Sequence, residues 1–534
     1  MQTSLKALER DCAPLIVSQK TLVAETREPY KRGVMLGPAQ VFGLSQDSRR
    51  RSLIFVCALL VLSIWALLMY RYLRPGEAVT DWQGWRQADT QTIALNMTQP
   101  GSSLFYPRVA WGGDGPGYVE TELQLYAWLT ALLMRAFGPG EWAGQAVSLG
   151  SALAAAIALW FHLDRRYGVV AAVFGLLSFL SARAFVQVAT VIQPDALSLC
   201  GYTIAWAAFV HYRDSGRRRS LVVFTVAGAL AMLVKPTAAH LGISTVCLLL
   251  VTRRDLLSRK GPWVAWGVIL AALAIYLFHA RGLYQTYGNT FGILSGGHEG
   301  SEKVPGLAQL MSPTLYFKAM KYGVVWGTGV VGALALILIF LQGWGKGSHF
   351  ALLVGNFAMT ITALRYTSEP CGTHYFAPAA VLGAESVAGL ACVMFTWKQF
   401  PRVKWGALAV MAGLQLAWSV KVRPLLGLRD AQAQEVAATG RELAELASPG
   451  DLVVVRAALF DPRIFYVAHV RGWVLSNQHD APESLAAFTK LGARYFVDPE
   501  PGSTSVQLSA WLLKNAQPIA VPSGKIWRLT GTEK

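Results

Sequence analysis

The segment EWAGQAVSLGSALAAAIALWFHL, residues 141–163, decides the fold class. Its one acidic residue is the first, and the rest is almost entirely apolar. A helix needs about 20 such residues to cross the hydrocarbon core of a bilayer. Of the 534 residues in the chain, 53% are hydrophobic and only 15% are charged, whereas soluble domains carry about 25% charged residues. The chain is therefore predicted to be an integral membrane protein.

Similar apolar segments recur along the chain, and about eleven spans are predicted. They are Leu53–Leu73, Glu141–Leu163, Val169–Thr190, Ala196–Tyr212, Leu221–Val234, Thr237–Thr252, Trp263–His279, Tyr322–Leu341, Phe350–Leu364, Phe376–Trp397 and Trp405–Val422. The predicted fold class is an α-helical polytopic membrane protein with a C-terminal α/β domain.

The formal charge of +17 is concentrated in loops that follow alternate spans. The basic clusters are Arg49–Arg51, Arg165–Arg166, Arg217–Arg219, Arg253–Lys260, and Lys398 with Arg402 and Lys404. Because positive loops stay cytoplasmic, the N-terminus is predicted to be inside and the tail outside. The basic composition thus indicates topology and contact with anionic membrane lipids, and not a nucleic-acid partner.

Residues 1–52 form a polar leader that is predicted to be cytoplasmic and disordered, with Met1 or Met35 as the true start. The first apolar run lacks a small-residue cleavage site, so no signal peptide is predicted. Four of the six cysteines lie in predicted spans, and Cys371 stands alone in an outer loop. Neither a disulfide framework nor a structural zinc site is expected.

The transmembrane domain, residues 53–422, is interrupted by a long outer loop, 74–140. The loop is predicted to contain two amphipathic helices lying on the membrane, Thr80–Met97 and Leu123–Phe137, on either side of a glycine-rich turn. Long ordered loops are usually functional. A second outer loop, Arg281–Met320, is glycine-rich early and is predicted to be a mobile lid.

Residues 423–534 change in composition and predict a small outer α/β domain. A helical pattern covers Asp430–Ala447, and strand patterns cover Asp451–Arg456, Ile464–Val467 and Arg494–Val497. No cluster typical of a catalytic site occurs there. This domain is predicted to aid acceptor binding or to cover the cavity.

The first outer loop collects charges in a chain that has few. Its charged residues include Asp81, Asp89, Asp114, Glu120, Glu122, Arg86 and Arg108. They can be interpreted as solvated charges beside lipid head groups. Asp89 and Glu122, however, lie on apolar-faced predicted helices, where a merely solvated charge has no reason to be.

Such a site suits a lipid-phosphate sugar, whose scissile bond lies at the membrane surface. The phosphate leaves as a stable anion and needs a cation, whereas the acceptor hydroxyl needs a general base. Arginine is suited to phosphate contact. The candidate donor-binding residues near outer span ends are Arg86, Lys235, Arg365, His374 and Tyr375.

Simpler structural roles stay open for several of these positions. Lys235 can snorkel to the interface, and Asp195 can cap a helix. His374 and Tyr375 can belong to an interfacial aromatic belt, and a glycine-rich turn favours Asp114 by itself. In the functional interpretation, Asp114 and Asp195 support the site.

The sequence resembles GT-C fold glycosyltransferases that use polyprenyl-phosphate sugars. The nearest branch is the bacterial one that includes lipid A aminoarabinose transferases and protein O-mannosyltransferases. The stretches that carry the resemblance are Trp85–Thr90, Phe105–Arg108, Gly113–Val119, Glu122–Tyr126, Pro194-Asp195, Leu233–Thr237 and His374–Pro378. Two positions depart from the family pattern: Gln124 replaces a common proline, and Gln145 replaces a usual arginine.

The resemblance implies an inverting transfer of a sugar from a polyprenyl-phosphate donor to an acceptor hydroxyl. Asp89 then acts as base or at the donor site, and Glu122 supports the acceptor or an ion. A divalent cation is the one cofactor left open. The acceptor is a glycan, a lipid or a protein, and the expected location is the bacterial inner membrane, with a periplasmic tail.

The rival function is a multi-pass transporter or lipid flippase that performs no chemistry. Transporters place charges at the midplane of broken helices, often in two related halves. The predicted spans are nearly free of charge at mid-depth, and no two-fold repeat is evident. Surface chemistry is therefore favoured.

Overall fold

The computed structural model describes residues 56, 61–63, 65–66, 83–292, 305–343, 347–364, 370–395, 401–422, 431–448, 450–457, 461–476, 481–499 and 504–530. The predicted leader 1–52, most of the predicted span Leu53–Leu73, and Arg365 lie outside the described residues.

The first outer loop folds into a helix, a short strand and a second helix. These are α1 (Gly84–Thr98), β1 (Val119–Glu120) and α2 (Leu125–Phe137). Both loop helices lie where the sequence predicts them, but α1 does not rest on a surface. Ala88 and Ala94 are fully buried, because α1 is enclosed between α2 and the C-terminal domain. The prediction of a surface helix is wrong for α1.

Helices account for most of the next part of the chain. They are α3 (Glu141–Tyr167), α4 (Val169–Ser181), α5 (Arg183–Thr190), α6 (Asp195–Ser215), α7 (Arg218–Val234), α8 (His240–Thr252), α9 (Lys260–Tyr287), α10 (Leu307–Leu310), α11 (Pro313–Met320), α12 (Trp326–Thr328), α13 (Val330–Leu341), α14 (Ser348–Thr362), α15 (Ala379–Phe395) and α16 (Pro401–Val422). Short 3₁₀ turns cover Pro236–Ala239, Arg254–Ser258 and Pro370–Phe376, and a π-helical turn covers Lys321–Val325.

Two of the described helices, α3 and α9, are long and apolar enough to cross a membrane singly. Two bent pairs pass the same test together: α4 with α5, bent by 63°, and Pro313–Thr328 with α13, bent by 99°. Large apolar side chains on α9, among them Ile275 and Phe278, are exposed as on a lipid-facing surface. The number of spans stays a prediction.

Small residues bring these helices into close contact. A Cβ atom added to Gly383 of α15 would lie 2.4 Å from the Thr328 carbonyl oxygen. One added to Gly201 of α6 would lie 2.9 Å from the Ala227 oxygen. Only glycine allows such backbone approach, which is how helices in membranes gain packing contacts.

The second outer loop begins with regular structure. Helix α9 continues through its first residues to Tyr287, and β2 (Asn289–Thr290) then pairs in parallel with β1. Thr290 Oγ1 also donates a hydrogen bond to the buried carboxylate of Glu120. The mobile lid stays a prediction, and residues 293–304 lie outside the described part.

The chain after α16 forms a five-stranded sheet with helices. Its elements are α17 (Ala431–Leu446), β3 (Leu452–Ala457), α18 (Arg463–Ala468), β4 (Arg471–Ser476), α19 (Pro482–Lys490), β5 (Ala493–Val497), α20 (Val506–Asn515), β6 (Ala516–Pro518) and β7 (Ile526–Leu529). The strand order is β4-β3-β5-β7-β6. Strands β4, β3 and β5 are parallel, and β7 is antiparallel to both its neighbours.

The strand predicted at Ile464–Val467 is wrong, because these residues form α18. Asp461 Oδ1 accepts a hydrogen bond from the Arg463 backbone N–H over 3.1 Å and so satisfies the first turn of that helix. Ile464 and Phe465 then bury one helical face. Tertiary packing and this local contact outweigh the β preference of the run.

The C-terminal domain and the first outer loop share one apolar core. The cluster includes Ile93 of α1, Ala131 of α2, Val453 of β3 and Phe465 of α18. Tyr466 also donates a hydrogen bond to Glu141 over 3.2 Å. The domain therefore packs directly on the loop that carries the predicted site.

Candidate functional site

Arg86 and Glu122 form the first charge pair of the site. Arg86 lies on α1, and Glu122 lies in the turn between β1 and α2. The guanidinium Nη2 donates directly to Glu122 Oε1, and Thr121 Oγ1 donates to Glu122 Oε2 over 2.9 Å. The carboxylate is buried, with 5% of the residue exposed.

Burial by itself would raise the pKa of Glu122, but Arg86 and then Lys235 outweigh it, so the pKa lies below its ordinary value. Burial likewise opposes the charge on Arg86. The nearby carboxylates of Glu122, Asp89 and Asp195 outweigh burial and raise the pKa of Arg86. Both groups are therefore charged at neutral pH.

A second charge pair joins the start of α6 to the end of α7. Asp195 is the first residue of α6, and Lys235 directly follows the last residue of α7. Lys235 Nζ lies 3.0 Å from Asp195 Oδ1, and it also lies 5.4 Å from the centre of the Tyr375 ring. Asp195 is 6% exposed. The Asp195 carboxylate forms an ion pair with Lys235, and a residue that only capped α6 would not need this ion pair.

His374 is brought to the same cluster by the 3₁₀ turn Pro370–Phe376. Its ring contacts the Tyr375 ring, with 4.2 Å between the centroids and an angle of 35° between the ring planes. His374 Nδ1 lies 3.5 Å from Gln83 Nε2, and Gln193 Nε2 donates to Gln83 Oε1 over 2.9 Å. The site thus joins the first loop to the segments before α6 and α15.

Asp89 lies one turn after Arg86 on α1 and is 2% exposed. Trp111 Nε1 donates a hydrogen bond to Asp89 Oδ1 over 2.9 Å. Arg86 also lies over the Phe291 ring, 4.4 Å from its centre, and Phe291 meets the Trp111 ring edge-on. The Asp89 carboxylate therefore lies beside the Trp111 indole, and the Phe291 ring contacts both Trp111 and Arg86.

The structure thus brings together seven of the predicted site residues: Asp89, Glu122, Arg86, Lys235, His374, Tyr375 and Asp195. Asp114 differs, because it is exposed on the glycine-rich turn and makes none of the contacts described above. Arg365 lies outside the described residues.

Sequence reasoning missed Gln83, Gln193, Trp111 and Phe291. Gln83 has a positive φ of 51°, which is uncommon for a residue other than glycine and is concentrated at functional sites. No pattern in the sequence marks it. Trp111 offers a signal in retrospect, since a large indole in a glycine-rich turn needs a partner for its N–H.

The predicted possibility of a divalent cation finds no preformed site in the described part of the chain. No group of three or more His, Cys, Asp or Glu side chains there is arranged to hold a metal ion. Glu122 and Asp195 each pair with a side-chain cation, Arg86 or Lys235. The divalent cation stays a prediction.

A second polar cluster lies inside the helical bundle, around the fully buried Glu385 of α15. Trp206 Nε1 and Ser348 Oγ donate to its carboxylate over 2.5 and 2.7 Å, and Tyr167 OH donates over 3.3 Å. His162 Nε2 lies 2.8 Å from Glu385 Oε1. Glu385 is thus a buried carboxylate within a predicted span, and its partners Tyr167 and Ser348 lie at the ends of α3 and α14.

The helical bundle superposes on solved structures of the GT-C class, and this confirms the fold that the resemblance in the sequence implies. Residues 124–279 match the family model described as dolichyl-phosphate-mannose-protein mannosyltransferase. No curated protein sequence matches the chain significantly.

Two solved structures illustrate the similarity of fold. ArnT from Cupriavidus metallidurans bound to undecaprenyl phosphate superposes with a TM-score of 0.62 and 15% identity, covering 89% of this chain and 99% of that chain. The Archaeoglobus fulgidus oligosaccharyltransferase in complex with Zn and sulfate gives a TM-score of 0.56 and 14% identity, covering 88% of this chain and 73% of that chain.

Proposed function

We propose that the chain is an inverting glycosyltransferase that moves a sugar from a polyprenyl-phosphate donor to an acceptor hydroxyl at the outer membrane face. The observation that carries the proposal is the buried cluster in which Arg86 and Lys235 are held beside Asp89, Glu122 and Asp195. The GT-C fold agrees with this chemistry, and the structure bound to undecaprenyl phosphate shows that this fold accommodates such a lipid.

The two cations are suited to the donor phosphate because each is held in place by an ion pair with a carboxylate, Arg86 with Glu122 and Lys235 with Asp195. An arriving phosphate can share Arg86 with Glu122 and Lys235 with Asp195 without leaving a buried charge unpaired. His374 and Tyr375 lie beside Lys235 and are placed to contact the phosphate or the sugar. Fixed cations of this kind stabilise the charge that develops on the leaving phosphate.

In the reaction, the acceptor oxygen attacks the anomeric carbon from the face opposite the phosphate. The bond from that carbon to the phosphate oxygen breaks, and its electron pair leaves with the phosphate. The acceptor hydroxyl loses its proton to Asp89, which acts as general base. Glu122 orients the acceptor and holds Arg86.

The location follows from the charge distribution. We propose that the N-terminus is cytoplasmic and that the C-terminal domain covers the site on the outer, periplasmic face of the bacterial inner membrane. A reporter fused after Gly168 should read inside, and one fused after Leu428 should read outside. The opposite pattern contradicts the orientation and, with it, the position of the site.

The rival function as a transporter or flippase gains one observation, the buried Glu385. Intramembrane carboxylates often mark transport paths. The carboxylate of Glu385, however, is surrounded by donors from α3, α6 and α14, so it holds the bundle together. The charge pairs that a donor phosphate could share, Arg86–Glu122 and Lys235–Asp195, lie at the outer end of the bundle instead.

The experiment that tests the proposal in cells is mass spectrometry of surface glycans with and without the gene. A transferase predicts that one glycosylated product disappears and its unmodified acceptor accumulates, which also identifies the sugar and the acceptor. Unchanged surface glycans, under conditions where the protein is shown to be made, contradict the proposal.

A further inference from the structure

Trp111 connects the candidate site to the C-terminal domain. Its indole Nε1 donates to Asp89 Oδ1 over 2.9 Å, and only 7% of Trp111 and 2% of Asp89 are exposed. The Trp111 ring also packs edge-on against Phe291, with the centroids 5.7 Å apart. The indole is therefore fixed by packing on one side and contacts the carboxylate on another.

The backbone around Trp111 is bound to strand β4. Gly472 N–H donates to the Ala110 oxygen over 2.9 Å, and Gly113 N–H donates to the Gly472 oxygen over 2.7 Å. These two bonds flank Trp111 in the chain. Because β4 is an edge strand, the loop takes up backbone groups that would otherwise be unpaired.

The contact requires glycine on the loop side. Gly113 has a φ of +74°, and a Cβ atom there would lie 2.4 Å from Trp473 Nε1 of the C-terminal domain. The close approach of the loop to the domain thus depends on the absence of a side chain at Gly113. Gly472 is needed within the domain itself, because a Cβ atom there would lie 1.8 Å from the Val453 carbonyl oxygen of β3.

We propose that Trp111 is a positioning residue for the Asp89 base, and that strand β4 fixes Trp111 in place. The inference rests on the proposed function. An N–H that donates to a carboxylate fixes its orientation through a charge-assisted bond. A catalytic group misplaced by about 1 Å can cost 10²-fold in rate. The C-terminal domain thereby contributes to the site without supplying a reacting group.

The test is a double-mutant cycle on the full chain. Trp111→Phe keeps an aromatic ring but removes the N–H donor, so kcat should fall about tenfold to hundredfold with the KM values for donor and acceptor unchanged. In the Asp89→Asn background, Trp111→Phe should add little further loss, because the carboxylate it orients is gone. Trp142→Phe is the matched control, since Trp142 packs against the same apolar cluster.

An equal loss from Trp111→Phe in both backgrounds, or a loss shared by Trp142→Phe, overturns the positioning role. If the wild-type chain transfers no sugar, the proposed function fails instead, so the two failures are distinguishable. Gly113→Ala provides a second variant, because the added Cβ atom would meet Trp473 of the C-terminal domain, and it should lower kcat alone. Gly101→Ala is its control, since Gly101 lies in the same loop with a φ of +75° but meets no atom within 4 Å. If Gly113→Ala does not fold, the Trp111 cycle decides.

Discussion

The carboxylates at the end of the bundle beside the first loop and Glu385 within the bundle are buried to a similar degree, but their partners differ. Glu122 and Asp195 each pair with one side-chain cation, Arg86 or Lys235. Glu385 is fixed by donors from three other helices. His162, one of its partners, lies 21 residues after Glu141 on α3, about 30 Å along the helix axis.

Burial alone therefore does not mark a functional carboxylate. A carboxylate that is paired with one cation at an interface can give up that cation to a ligand. A charge that has several donors inside a bundle would leave them unsatisfied if it changed partner, and so it stabilises the helix arrangement. The comparison predicts effects on turnover at the outer end and effects on stability at Glu385.

The largest effect is expected from Asp89→Asn, which keeps shape and removes the basic charge. A general base typically contributes 10²–10⁴-fold, so kcat should fall by about that factor, with donor affinity little changed. Steady-state transfer and donor binding measure the two quantities. Asp114→Asn is the control, because Asp114 is exposed on the same loop. Near-normal turnover of folded Asp89→Asn would exclude Asp89 as the base and make Glu122 the next candidate.

Glu385→Ala should act on stability instead. Breaking a buried ionic contact costs about 3–5 kcal/mol, because Trp206, Ser348 and His162 lose their common partner. Thermal unfolding in detergent should show a large drop in the midpoint, while the fraction that stays folded turns over at near the wild-type rate. Glu445→Ala changes an exposed glutamate and serves as the control. A stable variant that transfers no sugar would place Glu385 in the reaction or in a transport path.

Arg86→Ala should weaken donor binding. A hydrogen bond to a charged group contributes about 1.5–3 kcal/mol, so the Kd for a lipid-phosphate sugar should rise about ten- to hundredfold. Arg86→Lys keeps the positive charge but loses the planar guanidinium with its paired N–H donors, so it should bind the donor more tightly than Arg86→Ala and less tightly than the wild type. Unchanged donor affinity in Arg86→Ala, measured by titration, would mean that Arg86 serves only to hold Glu122.

The smallest effect concerns pH. Arg86 and Lys235 depress the pKa of Glu122 in the folded chain, against the effect of burial. The pair therefore contributes stability above the unfolded pKa of about 4.3, and this contribution is lost as the pH falls through the folded value. Unfolding midpoints measured downward from pH 6 should fall less steeply for Glu122→Gln than for the wild type. Identical slopes would mean that the pair contributes no net stability.

Much of the membrane helix pattern could be predicted from the sequence, because apolar runs of about 20 residues are typical of membrane spans and rare elsewhere. The positions at which these helices bend could not be predicted from the sequence. The bends between α4 and α5 and before α13 arise where neighbouring helices pack, as at Gly383 against Thr328. In the C-terminal domain, β4 was missed because Arg471 and Gly472 interrupt its apolar pattern.

The charged members of the site were predictable for a similar reason, since a chain with few charges makes each one informative. Their pairing was not, because Asp195 with Lys235 and Gln83 with His374 join residues that lie far apart in sequence. The Glu385 cluster was missed because single polar residues on four helices leave each apolar run intact. Only the packing of α3, α6, α14 and α15 brings them together.

The most direct test of the account is sugar transfer by the purified chain in detergent, with a synthetic polyprenyl-phosphate sugar and the acceptor identified from surface glycans. Detergent removes the two compartments that transport requires, so only chemistry can give a product. We expect release of polyprenyl phosphate together with a glycosylated acceptor of inverted anomeric configuration. Asp89→Asn should abolish most of this product, whereas Glu385→Ala, once folded, should not. A folded, donor-binding protein that forms no product would contradict the proposed transferase function.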